Sequence, residues 1–319
     1  MSRQDERRIF EKNRVIYDSA KLKFLGMDGY DVYNCSVVIQ ENGRNYIFGR
    51  VEKREIWADS MVALFEEVGK DTYKLVEDSR TYQMEDPFVA RINGEYVLGG
   101  THVKKMKGNV ETFYAYFYRG KDLKNLTYFT TGPDRMKDIR LIEKSNGKIG
   151  VFSRPRGKQI QEVYGSEAMI GYEEIDRIDD LEACIIEKAA YLPDLFRDEE
   201  WGGCNQVYQL ADGWLGIVGH ISEKITKDSG TELSYMNMAF VMNPETMKCG
   251  EVKIIGTRGC YPQGASKKAH LRDCAFTSGI VYKDGARVDL YSGIGDCEEG
   301  RITIDDPFKQ HGGIAEHWL

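Results

Sequence analysis

Five times along this chain a polar residue opens an alternating strand, an Asn-Gly or Asp-Gly pair turns it, and a second apolar strand runs back. Such pairs between alternating strands signal hairpins, because the tight type I′ turn needs positive φ at both central residues. The units are YNCSVVIQENGRNYIFGR, turning at Asn42-Gly43; EDPFVARINGEYVLGG, at Asn93-Gly94; KDIRLIEKSNGKIGVFSR, at Asn146-Gly147; CNQVYQLADGWLGIVGH, at Asp212-Gly213; and RDCAFTSGIVYKDGARVDLYSG, at Asp284-Gly285. Their leading residues, Asn34, Asp86, Asp138, Asn205 and Asp273, lie 52, 52, 67 and 68 positions apart, a blade-sized period. Runs such as SMVALFEE, TFYAYFYRG and YMNMAFVM follow the hairpins and can supply the outer strands of four-stranded blades. The pattern predicts an all-β chain folded as a five-bladed β-propeller, one domain over residues 1–319. An irregular β-sandwich would have to place five equivalent turns by coincidence. Residues 155–200 depart from the repeat: Ile175, Ile178, Leu181, Ile185 and Ile186 recur at helical spacing, so a short helical insertion is expected between the third and fourth units.

A propeller keeps its innermost strands facing a central channel, so the five leaders should converge although they are far apart in sequence. A hydrophobic core has no use for Asp86, Asp138 and Asp273 at the start of apolar strands, since an unpaired buried carboxylate costs several kcal/mol or takes up a proton. Arg50, Arg154 and Arg156 stand on the second strands, with Lys137 beside Asp138 and His220 closing the fourth hairpin. Carboxylates and cations so interleaved form either a structural ion-pair network or a pocket for a hydroxyl-rich, phosphate-bearing ligand held by arginine forks. Tyr33, Trp57, Tyr82, Trp201, Trp214 and Tyr261 lie near these motifs and are candidates for a sugar-stacking platform or for packing.

Composition narrows the chemistry. With 319 residues, 41% of them hydrophobic, the chain can bury a sizeable core, and its formal charge of −7 argues against nucleic acid as a partner. The amino-terminal MSRQDERRIFEKNR lacks the apolar stretch of a signal peptide, and no run approaches a membrane span, so a cytoplasmic protein without membrane contact is expected. Seven cysteines without a C-x-x-C pair fit neither a disulfide framework nor a zinc ribbon, and they read as buried thiols. The five histidines, at 102, 220, 270, 311 and 317, are scattered; no metal and no cofactor is expected. No P-loop, nucleophile elbow, dinucleotide fingerprint or H-E-x-x-H helix occurs.

At these same residues the chain resembles glycoside hydrolase family 130, the inverting β-mannoside phosphorylases and β-mannosidases, across roughly residues 30–300. The marks are GRVE at 49–52, MEDPFV at 84–89, KDIRLIEKSNGK followed by SRPRG at 137–157, WGGCNQVYQLADGWLGIVGH at 201–220 and LYSGIGD at 290–296. The resemblance implies that Asp86 of E-D-P is the general acid, and that Lys137, Arg154 and His220 grip inorganic phosphate. It also implies a small carbohydrate substrate. Two departures stand out. Phe88 occupies the place where the family usually has arginine, and His220 falls one residue late, a shift that reverses facing on a regular strand.

Inverting hydrolysis would need a second carboxylate about 6.5–9.5 Å from the acid to activate water, whereas phosphorolysis needs cations instead. Asp273, Asp31 or Glu85 are the candidate bases. Asn34, Arg50, Asp138, Asn205 and Asp296 are expected to hold sugar hydroxyls or align arginines. The alternative is a sugar-binding or scaffold propeller that keeps the pocket without chemistry, since fold does not fix function.

Overall fold

Asn42 and Asn93 both take φ of 52°, and Gly43 and Gly94 follow at 75°, so the first two turns have the geometry their sequences ask for. These values come from a computed structural model that describes residues 1–56, 59–227, 230–283 and 286–315. The third and fourth turns differ. Gly147 and Gly213 have positive φ but Asn146 and Asp212 do not; their side chains instead accept the backbone N–H two residues on, from Lys148 (3.1 Å) and Trp214 (3.1 Å). An Asx turn thus does the work of a left-handed residue. The fifth turn, Asp284-Gly285, lies outside the described residues.

At 51% strand and 11% helix the chain is all-β and propeller-like. Its first sheet orders Lys23–Leu25, Thr72–Leu75, Met61–Gly69, Arg44–Glu52 and Asp31–Tyr33, with Ile39–Glu41 also on Arg44–Glu52. The second runs Glu85–Ile92, Glu95–Met106, Asn109–Gly120, Thr127–Thr131, and the third Arg140–Glu143, Ile149–Ser153, Gly171–Ile175, Ala190–Tyr191. An eight-stranded sheet follows, made of two antiparallel runs. Trp201–Gln209, Leu215–Lys227, Gly230–Met242 and Lys253–Gly256 form one; Asp273–Tyr282, Arg287–Ile294, Glu298–Asp305 and Asp18–Lys21 form the other. Among the described residues only a two-residue parallel ladder, Ser234 to Asp273 and Tyr235 to Cys274, joins them.

Period-two alternation explains how neighbouring runs stick together. In Asn109–Gly120, Ala115 and Phe117 point into a core shared with Ile139, Leu141 and Val151 of the third sheet, while Tyr118 points the other way, against Phe48 and Leu64 of the first. Third and fourth runs share Phe152, Ile170, Val207 and Ile217; fourth and fifth share Val218, Ala239, Ile280 and Leu290. Each fully buried side chain of this size contributes about 1.5–3 kcal/mol relative to exposure.

The N-terminal segment ties the last run to the first. Asp18–Lys21 pairs antiparallel with Glu298–Asp305, and Lys23–Leu25 pairs parallel with Thr72–Leu75. Arg301 locks the junction, donating to Asp71 (2.5 and 3.0 Å), Asp18 (2.9 Å) and Asp289 (3.2 Å). Before it, the helix Arg3–Asn13 starts with a capping box between Ser2 and Asp5 and is pinned by Arg3 to Glu200 (3.1 Å). No helix of the described residues is long and apolar enough to cross a membrane.

The expected helical insertion is only partly helical. Helices Lys158–Tyr164 and Ala183–Glu187 are present, but Gly171–Ile175 is the third strand of the third sheet. Ile175, Ile178, Leu181 and Ile186 do share one side, buried on the core between second and third sheets. A strand end, a 3-10 turn and a short helix present that apolar face as well as one continuous helix would, which is why spacing alone misread the segment.

Candidate active site

Three of the five strand leaders have left-handed backbones: Asn34 at φ 45°, Asp86 at 49° and Asp138 at 58°. Asp296 joins them at 57°. Asn and Asp tolerate this region better than other side chains, and strain concentrated in one place is characteristic of functional sites. At Asp86 the cause is a bulge: Glu85 pairs with Thr101 and Phe88 with Gly99, so Asp86 and Pro87 together face Gly100. Asn205 is likewise the extra residue of a bulge between Cys204 and Gln206.

These four residues, Asn34, Asp86, Asp138 and Asp296, line one cavity of about 480 Å³. In its first corner Asp86 Oδ1 accepts from Asn34 Nδ2 (2.8 Å) and from Arg50 (3.0 Å), and Arg50 also reaches Glu85 (3.1 Å) and Glu52 (3.2 Å). Burial by itself would raise the Asp86 carboxyl, but Arg50 and Lys137 outweigh it and hold it below the usual carboxylate range. Glu85 goes the other way, raised by burial. Neighbouring carboxyl groups whose environments push them apart are suited to different proton states. Lys267, which the sequence reading missed, bonds Tyr33 Oη (2.8 Å) and Glu52 and stands 3.8 Å from Asp296. Burial lifts Asp296 to about 6.

The second corner is cationic. Asp138 is paired with Arg154 (2.7 Å), with Arg140 at 3.6 Å, and both arginines help overcome burial to keep it ionised. Burial, reinforced by Arg154, pushes His220 down to about 3, so its ring is neutral. His220 Nδ1 lies 2.8 Å from Asn205 Oδ1, a contact in which Nδ1–H donates, so that Nε2 of the neutral ring is an acceptor rather than a charge. Lys137 and Arg156 line the same corner without a carboxylate inside salt-bridge distance among the described residues, and Lys268 does the same at the rim. Anions are therefore under-supplied where Lys137, Arg154 and Arg156 meet.

The structure sorts the expected residues plainly. Asn34, Arg50, Glu85, Asp86, Lys137, Asp138, Arg154, His220 and Asp296 line the cavity. Asp273 does not: its carboxylate is gripped by Arg7 of the N-terminal helix at 2.5 and 2.9 Å. Asp31 is similarly taken by Arg54, at 2.7 and 2.9 Å, outside the cavity lining. Asn205 reaches the cavity only through His220. Despite its shifted position His220 does face the cavity. Phe88 turns away into the core, where its ring fills the space of the side chain that Gly99 lacks; a Cβ there would sit 2.1 Å from the ring. Arg140 of the third sheet lies over that ring at 4.9 Å and stands 3.6 Å from Asp138.

Of the aromatic candidates Trp201 lines the cavity and Tyr33 stacks under Arg50; Tyr82 and Tyr261 are core, and Trp214 packs on His311. Trp57 and His317 lie outside the described residues. Lys267, Lys268 and His270 belong to a loop without hairpin markers, which is why repeat reasoning passed over them.

The profile of the family described as "Protein of unknown function (DUF1861)" matches residues 8–310. The chain belongs to this family. A search of curated proteins found no match for this DUF1861 sequence. Among solved structures it is similar to MPT-4, a mannose phosphorylase from Leishmania mexicana in complex with phosphate ion, with 48% identity, TM-score 0.93, and 99% of this chain and 96% of that one covered. It is also similar to MPT-1, a GDP-Man-dependent mannosyltransferase from Leishmania mexicana, with 42% identity, TM-score 0.92, and coverage of 99% and 98%. A β-1,2-mannobiose phosphorylase from Listeria innocua superposes at 15% identity with TM-score 0.60, covering 87% and 91%. That more distant likeness concerns the fold alone: the DUF1861 chain has a glycoside hydrolase family 130-like fold.

Proposed function

We propose that this protein is a mannoside phosphorylase, built as one five-bladed propeller domain, that moves a mannosyl unit between a β-linked mannoside and inorganic phosphate. The observation that carries the reading is the meeting of Asp86 with Lys137, Arg154 and Arg156 in one cavity, two of these three cations having no carboxylate inside salt-bridge distance among the described residues. The five antiparallel runs supply five blades. Similarity to a relative named as a mannose phosphorylase in complex with phosphate supports the choice of reaction.

In phosphorolysis a phosphate oxygen attacks the anomeric carbon from one face while the glycosidic C–O bond breaks on the other. The departing oxygen takes a proton from Asp86, directly or through a sugar hydroxyl, and the products are α-mannose 1-phosphate and a shortened mannoside. Run backwards, ionised Asp86 accepts the proton of the acceptor hydroxyl. The low proton affinity of free Asp86 suits the backward direction; a phosphate dianion bound beside it raises that affinity by like-charge repulsion and readies it for the forward one. Arg154, Lys137 and Arg156 hold phosphate, His220 accepts from a hydroxyl or from monohydrogen phosphate, and Asn34, Arg50, Asp138 and Asp296 hold the sugar or align those groups. Asn205 positions His220.

A second reading, transfer from GDP-mannose, draws on the name of MPT-1 and on Lys224, Lys268 and His270, cationic or basic groups that continue the cavity outward past Arg156. One assay decides. Mannobiose is incubated with the protein and phosphate, and, separately, mannose with mannose 1-phosphate or GDP-mannose. Phosphate-dependent release of mannose 1-phosphate supports the first reading; oligomannoside made only from GDP-mannose supports the second, and free mannose without phosphate would replace both with hydrolysis.

A further inference from the structure

The strand Asn109–Gly120 buries Ala115 and Phe117 of one face in one core and Tyr118 of the other face in a second, but Tyr116 is only partly packed against that second core and Tyr114 belongs to neither. On the tyrosine face, Tyr114 and Tyr116 are half-buried and Tyr118 sits at the inner end. His102 pairs with Tyr114 across the ladder and stacks on Tyr116 with ring centroids 4.6 Å apart. Tyr128 of the neighbouring edge strand, 47% exposed, stands edge-on to Tyr116 and Tyr118 at 5.5 and 5.9 Å. Tyr114, Tyr116, Tyr118, Tyr128 and Thr131 enclose a shallow cavity of about 500 Å³.

We propose that this face is a second carbohydrate site, which binds the remote part of an oligomannoside whose end occupies the axial cavity. Three observations lead there. The lining is aromatic and hydroxylic, with no charged side chain among the residues that enclose it, so the ligand is neutral, hydroxyl-rich and apolar in patches. A single-stranded nucleic acid also stacks on aromatic rings but requires a positive groove, which this face of an acidic protein lacks. Finally, the tyrosines lie at the same level along the blade as the candidate active site: Glu85, which lines that cavity, pairs with Thr101, and Thr101 pairs with Ala115, the residue between Tyr114 and Tyr116 whose own side chain points to the opposite face. Two strand spacings separate them, roughly 10 Å, a distance a short sugar chain bridges. The edge strand Thr127–Thr131 also carries none of the charges that usually guard an exposed edge.

The proposal rests on the mannosyl reading only for its choice of glycan. Its test uses the full chain with Asp86→Asn to block turnover, titrated calorimetrically with mannobiose and with a mannohexaose of the same linkage. The hexamer is expected to bind about tenfold tighter than the dimer, equivalent to ~1.4 kcal/mol. Tyr114→Ser with Tyr128→Ser should remove that gain and leave the dimer affinity unchanged; Tyr128→Ser by itself, at an exposed site, should remove part of it in a protein that stays folded by its melting curve. Equal affinity for both lengths, failure of the hexamer to bind, or a length gain that survives in folded tyrosine variants would each overturn the proposal. Failure of the mannosyl reading looks different: the wild-type chain would not turn over mannobiose, while the hexamer would still bind through the tyrosines.

Discussion

Two buried arginines in this molecule each hold three carboxylates, and they do different things. Arg301 binds Asp18, Asp71 and Asp289 where the N-terminal strand closes the last run onto the first sheet; Arg50 binds Glu52, Glu85 and Asp86 at the wall of the axial cavity. Around Arg301 the three carboxylates meet three cations, since Lys70 also reaches Asp18 (3.3 Å) and Lys283 reaches Asp289 (3.3 Å), and the arginine pulls Asp18 down to about 2. Around Arg50 the matching is incomplete: Glu85 and Asp296 are pushed up by burial, Asp86 is pulled down by Arg50 and Lys137, and among the described residues Lys137 and Arg156 have no carboxylate inside salt-bridge distance. An ion-pair network by itself therefore does not mark a site. What marks it is unmatched charge, split proton affinities and left-handed backbone beside an opening.

The sharpest way to break the comparison is to delete one group from each network. Asp86→Asn should cut turnover by about 10²–10⁴-fold, the range of a lost general acid or base, with little change in Tm; a collapsed Tm with it would make the Arg50 cluster structural like the other. Arg301→Ala should do the converse, losing about 3–5 kcal/mol in a urea titration because Asp71 is left without a cation and Asp18 and Asp289 keep only the more exposed Lys70 and Lys283, while KM for mannoside in the surviving folded protein stays put. Lys137→Ala and Arg156→Ala should each raise KM for phosphate by roughly tenfold to a hundredfold, the worth of a charge-assisted hydrogen bond, and spare binding of the sugar.

A gentler probe uses a carboxyl group that belongs to neither network. Glu299 is fully buried, accepting from Ser278 Oγ (2.6 Å) and Cys35 N (3.2 Å), and burial lifts it to about 8. Its affinity for a proton is higher in the folded chain than in the unfolded one, so its contribution is complete below the ordinary carboxylate range. Above that range the unfolded chain sheds the proton first, and stability falls by up to ~1.4 kcal/mol per pH unit until about pH 8. Glu299→Gln should flatten that slope in a Tm-against-pH series. An unaltered slope would assign the pH dependence to the cavity carboxyls instead.

Much of the scaffold was legible in residues. The Asn-Gly and Asp-Gly pairs located four described hairpins, and three of the five polar leaders, Asn34, Asp86 and Asp138, do meet in one cavity. Asp273 looked equivalent on the same grounds and is not, because Arg7, 266 residues away, takes its carboxylate. The closure was also invisible: Asp18–Lys21 and Lys23–Leu25 are four and three residues long, too short to show a period. Phe88, which stands where the family usually has arginine, gave no sign in sequence of its partner: Gly99 opposite makes room for the ring in the core.

What the sequence by itself determined is therefore local: where strands turn, which faces are apolar, and which residue types can bear a left-handed backbone, since each depends on a few neighbouring side chains. Which charges are matched was decided only by the tertiary structure. Coulomb interactions and burial depend on groups that folding brings together from opposite ends of the chain, and neither the pairing of Asp273 with Arg7 nor the arrival of Lys267 beside Asp296 has a signature within either segment.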